Sequence, residues 1–223
     1  MTTIPTKSID QRHRVLMVDD HPIVLEGMAQ FLGMQENLHV CCFASTAAEA
    51  RQAASTCQHD LAIVDISLRD ESGLDLVKIL RHDHPKLAIL VLSMHDESLF
   101  ALRALKSGAN GYLMKHEGTH NILHAVRELL EGNVYLSADM QRRIAEGFLG
   151  RTPTGRSAIA NLSEREFAIL HLIGLGLGTR EIAERFNRSI KTIEAHRANI
   201  KEKLGLRTGQ ELVRFAVQLL DAR

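Results

Sequence analysis

Short apolar runs alternate with longer amphipathic segments over residues 14–132. The runs that we predict to form β-strands are Val15–Val18, His39–Phe43, Leu61–Val64, Ala88–Leu92 and Gly111–Met114. In the segments that follow these runs, apolar residues recur at i, i+3 and i+4, which is typical of a helix that buries one face. Five successive strand and helix units predict a five-stranded, parallel, doubly wound α/β domain with helices on both faces of the sheet.

The pattern changes in the last third of the chain. Residues 137–149 are predicted to form a helix behind a Ser137 cap, and the composition of residues 150–161 is typical of a linker. Residues 162–223 contain no strand pattern and at least four short helices. The predicted helix starts are the capping box Ser163 to Glu166, Thr179, Ser189 and the pair Thr208 to Glu211.

Length and composition fit two domains. The chain has 223 residues, of which 45% are hydrophobic, so it can build two cores. We expect the α/β domain over residues 12–134, a linker with a helix over 135–160 and an all-α four-helix domain over 161–223. The sequence indicates neither a signal peptide nor a membrane span, so we expect a cytoplasmic protein with no membrane partner.

The three cysteines are Cys41, Cys42 and Cys57. Their number and spacing suit neither a disulfide framework nor a paired-cysteine zinc site. We therefore expect reduced thiols packed in the core.

Charge is unevenly distributed along a chain that is neutral overall, with 27 basic and 27 acidic residues. Residues 1–160 carry a net charge of −3 and residues 161–223 a net charge of +3. A basic C-terminal region mildly favours a nucleic-acid partner at that end.

Groups that can handle a phosphate or a metal follow four of the five predicted strands. They are Asp19 with Asp20, Asp65, Ser93 and Lys115. Ligands of open α/β sheets bind beyond the carboxyl ends of the strands. Two adjacent carboxylates disfavour each other's ionised form, and a Mg²⁺ ion would offset that cost. An aspartate nucleophile beside a lysine and a hydroxyl predicts phosphoryl transfer onto a carboxylate, although each residue alone is more simply a turn, cap or solvated residue.

Residues 179–206 are predicted to form two helices joined by a tight turn at residues 187–189. The apolar residues predicted to face inward are Ile182, Ala183, Phe186, Ile193, Ile200 and Leu204. The second helix also carries a polar and charged face of the kind that a recognition helix presents to the major groove. A solvated, charged helix is the alternative.

Residues 14–132 resemble the receiver domain of a two-component response regulator. The blocks "VDDHP", "LAIVDISL", "ILVLSMH" and "GANGYLMK" match that family in order. The resemblance implies that Asp65 is the phosphoacceptor. It implies that Mg²⁺ is bound by Asp19, Asp20, Asp65 and the backbone carbonyl of Ser67. It also implies that Ser93 and Lys115 contact the phosphoryl group and that Tyr112 is the switch aromatic. The chain departs from the family at Leu68 and Arg69, where many relatives have Met-Pro, and at Met94, where some have Ala or Gly.

Residues 162–220 resemble the LuxR-type four-helix DNA-binding domain, through "LSEREFAIL", "EIAERF" and "SIKTIEAHRANIKEKLGL". The whole chain therefore resembles a response regulator of the NarL/FixJ type. The implied phosphate contacts are Lys191, Thr192, Arg197 and Lys201, the implied base contacts are Glu194, Ala195, Ala198 and Asn199, and His196 belongs to the same polar helix. Glu194 is suited to accept from a cytosine amine and Asn199 to pair with adenine.

The last helix, about residues 210–220, commonly pairs two DNA-binding domains in this family. Its apolar residues are too numerous for one buried stripe, so some are expected to face a partner. The dimerisation candidates are Leu212, Phe215 and Leu219. The alternative is that all of them pack on their own domain.

Two further patterns are given structural interpretations. The stretch "GLGLGTRE", residues 174–181, lies between two predicted helices and so is a helix end rather than a dinucleotide loop. The pairs His120 with His124 and His82 with His84 lack a third ligand in register and are expected to be surface residues.

Together these expectations describe a phosphorylation-dependent DNA-binding transcription regulator, and not an enzyme beyond slow autodephosphorylation. A sensor histidine kinase is the expected phosphoryl donor, operator half-sites in double-stranded DNA are the expected target, and a homodimer is the expected active form. One alternative is a DNA-binding regulator that does not respond to phosphorylation. The other is an aspartate-nucleophile phosphatase, which needs a second aspartate where this chain has Ser67.

Overall fold

The computed structural model describes residues 12–68, 72–94, 97–148, 159 and 162–221. The chain divides into two compact units, residues 1–145 and 146–223. The elements of the first unit, with the helix that leads out of it, are β1 (His13–Val18), α1 (Pro22–Gly33), β2 (Leu38–Ala44), α2 (Ala47–Thr56), β3 (Leu61–Val64), α3 (Gly73–Asp83), β4 (Ala88–Ser93), α4 (Glu97–Lys106), β5 (Gly111–Met114), α5 (Thr119–Leu130) and α6 (Ala138–Phe148).

The five strands form one parallel sheet in the order β2-β1-β3-β4-β5. All side chains of β3 and β4 are buried, which is expected of strands that helices cover on both faces. The predicted fold class is therefore confirmed. Each predicted strand lies within an observed one, and the ends differ by at most two residues.

The two edges of the sheet are irregular. Beside β5, Tyr135 forms a parallel bridge to Gly111, and its carbonyl accepts a hydrogen bond of 3.1 Å from the Tyr112 backbone N–H. At the opposite edge, β2 contains a bulge, because Val15 pairs with Val40 whereas Leu16 pairs with Cys42. Cys41 is the extra residue in that strand.

Within residues 162–221, the second unit contains the helices α7 (Glu164–Gly174), α8 (Thr179–Arg185), α9 (Ile190–Leu204) and α10 (Gly209–Asp221). α7 contacts both α9 and α10, and α8 contacts α9. All four helices contribute buried apolar side chains to one core, including Phe167, Ile182, Ile193, Ile200 and Leu212. The unit is thus a small helical domain with its own core.

Side-chain caps fix where these helices begin. The predicted capping box is present, since the Glu166 N–H donates to Ser163 Oγ at 3.3 Å and the Ser163 N–H to Glu166 Oε2 at 2.8 Å. The placement of α8 behind a Thr179 cap is wrong by one residue. Gly178 is the N-cap, because its N–H donates to Glu181 Oε2 at 2.7 Å.

In the first unit, Ser137 caps α6, as predicted, through a 3.1 Å hydrogen bond from the Met140 N–H. Residue 149 and most of the predicted linker, residues 150–161, lie outside the described residues. Among the helices that the structure describes, none combines the length and the hydropathy that a membrane crossing requires.

Candidate functional site

The acidic residues meet at the carboxyl edge of the sheet because β1 and β3 are neighbours. Val18 pairs with Val64, so Asp19 and Asp65 leave adjacent strands at the same level. One ligand atom from each of Asp19, Asp20, His21 and Asp65 lies within 4.8 Å of the others. The structure thus brings together three carboxylates that are up to 46 positions apart in the chain.

Lys115 bridges two of these carboxylates from the end of β5. Its Nζ lies 2.6 Å from Asp19 Oδ2 and 2.9 Å from Asp65 Oδ2. Only 11% of the Lys115 side chain is exposed, and the two aspartates are almost fully buried. A short backbone hydrogen bond, from the Lys115 N–H to the Ser93 carbonyl at 2.7 Å, holds this strand end against β4.

Burial and charge act in opposite directions on this group. Burial raises the pKa of Asp65, and the charge of Lys115 lowers it only in part. Burial lowers the pKa of Lys115, but the charges and hydrogen bonds of Asp65 and Asp19 more than offset this, so the pKa of Lys115 is raised. The lysine is therefore held in its charged form between the two carboxylates.

The donor set fits a hard divalent cation. Asp65 Oδ1 is buried and accepts no hydrogen bond of standard geometry from the described residues. Carboxylate oxygens with few competing ligands are what Mg²⁺ binds, usually through one or two carboxylates and several waters. Asp19, Asp20 and Asp65 are thus the residues that could hold such an ion.

The other residues expected at the site take different positions. Ser93, the last residue of β4, and Tyr112, in β5, are both fully buried. Ser67 is exposed two residues after Asp65, and Leu68 next to it is buried. Arg69 lies outside the described residues.

His21 received no role from the sequence, yet it lies at the site. Its Nδ1 is 3.1 Å from Asp19 Oδ1 and 2.7 Å from Asp20 Oδ1, and 59% of its side chain is exposed. Its backbone N–H also donates to Asp19 Oδ1 at 2.9 Å. Its position directly after the acidic pair was the only available signal.

Gly73 is a second residue that the sequence did not single out. A Cβ atom at this position would lie 2.0 Å from the carbonyl oxygen of Asp65. The Gly73 N–H donates to the Ile66 carbonyl at 2.9 Å, so the start of α3 packs directly on Asp65 and Ile66, the residues that follow β3. Only glycine permits that approach.

The candidate DNA-binding residues lie along α9 with unequal exposure. Lys191, Glu194, Ala195, Ala198 and Asn199 are exposed. The half-buried candidates are Thr192, His196, Arg197 and Lys201. The exposed set forms a contiguous polar surface available to a nucleic acid.

Two of the half-buried candidates are engaged within the domain. Thr192 Oγ1 lies 2.8 Å from Ser189 Oγ at the start of α9. Burial lowers the pKa of His196, and the positive charge of Arg165 on α7 lowers it further. His196 therefore lies towards α7, away from the exposed polar surface.

The dimerisation candidates on α10 also differ in exposure. Leu212 is fully buried in its own domain, so the expectation that it faces a partner does not fit the structure. Phe215 and Leu219 are half-buried, whereas Val213 and Val217 are 41% and 37% exposed. The exposed apolar surface of this helix therefore centres on the two valines.

The "GLGLGTRE" stretch connects α7 to α8, and Gly176 has a φ of +87°. This is the left-handed conformation that terminates helices, as predicted.

A doubly wound sheet that carries an acidic pair, a central aspartate and a bridging lysine, followed by a separate helical domain with a polar helix, defines a response regulator of the DNA-binding class. Residues 15–127 match the response regulator receiver domain, and residues 160–216 match the LuxR family of bacterial regulatory proteins. The chain belongs to the family of response regulators that join a receiver domain to a LuxR-type DNA-binding domain.

Similar proteins cover almost the whole chain. The oxygen regulatory protein NreC of Staphylococcus carnosus is 34% identical over 215 residues, which span 93% of this chain and 99% of that protein. RcsB from Salmonella enterica serovar Typhimurium, bound to promoter rprA in the presence of the phosphomimetic BeF₃⁻, is 25% identical with a TM-score of 0.62 and covers 92% of this chain and 98% of that one. A structure of two RcsB dimers bound to two parallel DNAs is 25% identical with a TM-score of 0.56 and covers 92% and 97%.

Proposed function

We propose that the protein accepts a phosphoryl group on Asp65 from a sensor histidine kinase, and that this modification changes the dimerisation and the DNA binding of its C-terminal domain. The observation that carries the proposal is the buried bridge from Lys115 to Asp19 and Asp65. It places a fixed positive charge beside the carboxylate that would be phosphorylated.

Asp19, Asp20, Asp65 and the Ser67 carbonyl would hold Mg²⁺. When bound, the ion neutralises charge on the phosphoryl oxygens during transfer. The chain's own groups supply the rest. Asp65 attacks as a carboxylate, and the charge of Lys115 offsets part of the rise that burial causes in the pKa of Asp65.

Lys115 and the hydroxyl of Ser93 would contact the phosphoryl group once it is attached to Asp65. Ser93 ends β4 and Lys115 follows β5, and these two strands lie beside β3, which Asp65 follows. Tyr112 on β5 would respond to the movement of Ser93 and bias the domain between two states. The unphosphorylated protein should then retain some activity, because phosphorylation shifts an existing equilibrium.

The output would be DNA binding by the second domain as a homodimer on operator half-sites. Lys191, Arg197 and Lys201 would contact phosphates, and Glu194 and Asn199 would contact bases. The similarity to RcsB, a structure of which holds promoter DNA, supports this assignment. In this proposal the receiver domain spans residues 12–134, the linker 135–160 and the DNA-binding domain 161–223. The protein would act in the cytoplasm.

Incubation with radiolabelled acetyl phosphate and Mg²⁺ tests the first step. The wild-type chain should become labelled, and an Asp65→Asn variant should not. Asp83→Asn, which changes an exposed aspartate on α3, is the matched control and should label like the wild type. Labelling of Asp65→Asn at the wild-type level would refute the proposal.

Binding to operator DNA with and without the phosphodonor tests the second step. We expect tighter binding after phosphorylation in the wild type and no change in Asp65→Asn. Equal affinity of the wild type under both conditions would instead support a regulator that does not respond to phosphorylation. Turnover of phosphate esters would support the phosphatase alternative.

A further inference from the structure

The three cysteines are half-buried rather than packed in the core as expected. With His59 they form a cluster of sulfur and nitrogen ligands outside the acidic site, which their spacing in the sequence did not indicate. Cys41 and Cys42 belong to the edge strand β2, and Cys57 and His59 belong to the segment between α2 and β3. His59 precedes β3 whereas Asp65 follows it, so the two clusters lie towards opposite ends of that strand. None of these four residues has a part in the proposed phosphoryl transfer.

The bulge in β2 explains how neighbouring thiols meet. Successive side chains of a regular strand point to opposite faces, so Cys41 and Cys42 would be separated. The extra residue at Cys41 interrupts that alternation and re-aims the side chain. As a result, the two Sγ atoms and a His59 ring nitrogen all lie within 4.8 Å of one another.

His59 is oriented as a ligand. Its ring makes a hydrogen bond to the backbone of Cys57, while its Nε2 is buried and has no hydrogen-bond partner among the described residues. With Nδ1 donating that hydrogen bond, the lone pair of Nε2 would be available to a metal ion. Metal-binding histidines have this arrangement, in which the far nitrogen donates to a carbonyl and fixes the ring.

The electrostatics of the cluster favour neutral ligands in the absence of a cation. Burial and the neighbouring thiols of Cys41 and Cys57 raise the pKa of Cys42 to about 12. Burial and the charge of Arg14 lower the pKa of His59, so its imidazole is neutral at pH 7. A thiol with a raised pKa is a poor nucleophile, which disfavours a redox role for Cys42 at neutral pH.

We propose that Cys41, Cys42 and His59, with Cys57 as the fourth ligand, form a Zn²⁺ site that joins the edge strand to the segment after α2. Cysteine and histidine in a set of four are the ligands of tetrahedral structural zinc. Cys57 is close enough to hydrogen-bond with Cys42. On binding, the cysteines lose their protons to solvent and coordinate as thiolates.

The movement that Cys41, Cys42 and His59 require is small. Zn–S bonds of ~2.3 Å and Zn–N bonds of ~2.0 Å place ligand atoms roughly 3.5 to 3.8 Å apart. The three atoms within 4.8 Å would close by about 1 Å, which side-chain rotation of half-buried residues allows. Because the thiols must ionise, affinity should rise with pH.

Cobalt binding to the full-length, reduced, metal-free chain tests the proposal. Co²⁺ is added in excess Mg²⁺, so that the acidic cluster is occupied by a hard cation. We expect one Co²⁺ per chain with the thiolate-to-cobalt charge-transfer absorption of a tetrahedral site, and its loss when Zn²⁺ is added. Zn²⁺ should also raise the Tm and protect the cysteines from alkylation.

Variants identify the ligands. Cys42→Ser and His59→Gln should each weaken Zn²⁺ binding by more than about tenfold. His39→Asn changes a histidine of β2 that lies outside the cluster, so it is the matched control and should bind like the wild type. If the circular dichroism spectrum shows that Cys42→Ser is unfolded, Zn²⁺ binding by His59→Gln tests the site instead, because His59 lies outside any strand or helix.

Two results would overturn the proposal. One is Co²⁺ binding without charge-transfer absorption, or with absorption that His59→Gln leaves unchanged. The other is rapid formation of a disulfide among the three cysteines in air with no protection by Zn²⁺. Neither result bears on phosphorylation of Asp65, which is measured separately.

Discussion

Lys115 stabilises two buried carboxylates that would otherwise repel each other. The three charged groups lie within hydrogen-bond distance, so removal of the lysine leaves Asp19 and Asp65 facing each other without compensation. Loss of one partner of a buried ion pair typically costs more than the pair itself contributes. At the residue scale, the site thus depends on a balance of charge that each substitution will disturb in a pH-dependent manner.

Lys115→Met should destabilise the receiver unit by about 3 kcal/mol at neutral pH. Folding already raises the pKa of Asp65 above its usual 3.8, and the substitution should raise it further. Ionisation of an acid with a raised pKa opposes folding, so the loss should be small near pH 3.8 and grow as pH increases. Urea unfolding of the first unit at several pH values measures this.

Lys106→Met, an exposed lysine at the end of α4, is the control and should change stability by less than about 0.5 kcal/mol. Mg²⁺ should restore part of the stability of Lys115→Met. A loss of equal size at every pH would contradict the electrostatic interpretation.

Gly73→Ala tests the packing of α3 on Asp65 and Ile66. The added Cβ would lie 2.0 Å from the Asp65 carbonyl, so the backbone must shift. We expect a loss of about 2 kcal/mol and slower labelling by acetyl phosphate. Gly27→Ala in α1, where a Cβ meets nothing within 4 Å, should be neutral or stabilising. Normal labelling of a stable Gly73→Ala protein would exclude this role.

At the scale of helices and strands, the sheet was predictable because its buried strands are short apolar runs separated by amphipathic segments. The convergence of Asp19 and Asp65 also followed once the strand order was assumed. The bulge at Cys41 was not predictable, because an inserted residue leaves the apolar pattern of β2 almost unchanged. The contact of Gly73 with the Asp65 carbonyl depends on three-dimensional packing that periodicity does not encode.

The capping box of α7 extends into a contact with α9. Glu166 Oε2 accepts from the Ser163 N–H at 2.8 Å and lies 2.6 Å from Lys203 Nζ. Burial would raise the pKa of Glu166, but the hydrogen bonds from Lys203 and Ser163 more than offset it, so the pKa is lowered. One carboxylate therefore caps a helix and joins it to the candidate recognition helix.

Because its pKa is lowered by folding, Glu166 contributes stability above its usual pKa of 4.5, and that contribution is lost as pH falls below this value. Glu166→Gln should therefore destabilise the second unit by about 1 kcal/mol at pH 7, a modest value because Lys203 is partly exposed. The difference from the wild type should shrink in acid. Thermal unfolding of the full chain at pH 7 and below pH 4.5 measures this, with the exposed Glu202→Gln as the neutral control. A difference that is constant with pH would rule out the ionised contact.

At the scale of the whole molecule, the second domain combines a net positive charge with exposed apolar residues on its last helix. Residues 161–223 carry a net charge of +3, and α10 exposes Val213 and Val217. The opposite face of α10 is closely packed, since a Cβ at Gly174 on α7 would lie 2.6 Å from the Ala216 carbonyl. The valines are therefore the apolar groups of this helix that are available to a second copy of the chain.

Val217→Lys should weaken dimerisation of the phosphorylated protein, because a charge would be buried in an apolar interface. Two linked half-sites bind more tightly than one through their effective concentration, so affinity for a two-site operator should fall by roughly 10²-fold. Affinity for a single half-site should change little.

Gln218→Lys adds the same charge at an exposed polar position of the same helix and controls for general attraction to DNA. Sedimentation measures the fraction of dimer. DNA fragments selected by their binding to the wild-type protein, with one or two half-sites, are then titrated to measure the affinity of each variant. An equal effect of both lysine substitutions on the two fragments would show that α10 does not pair the domains through this surface.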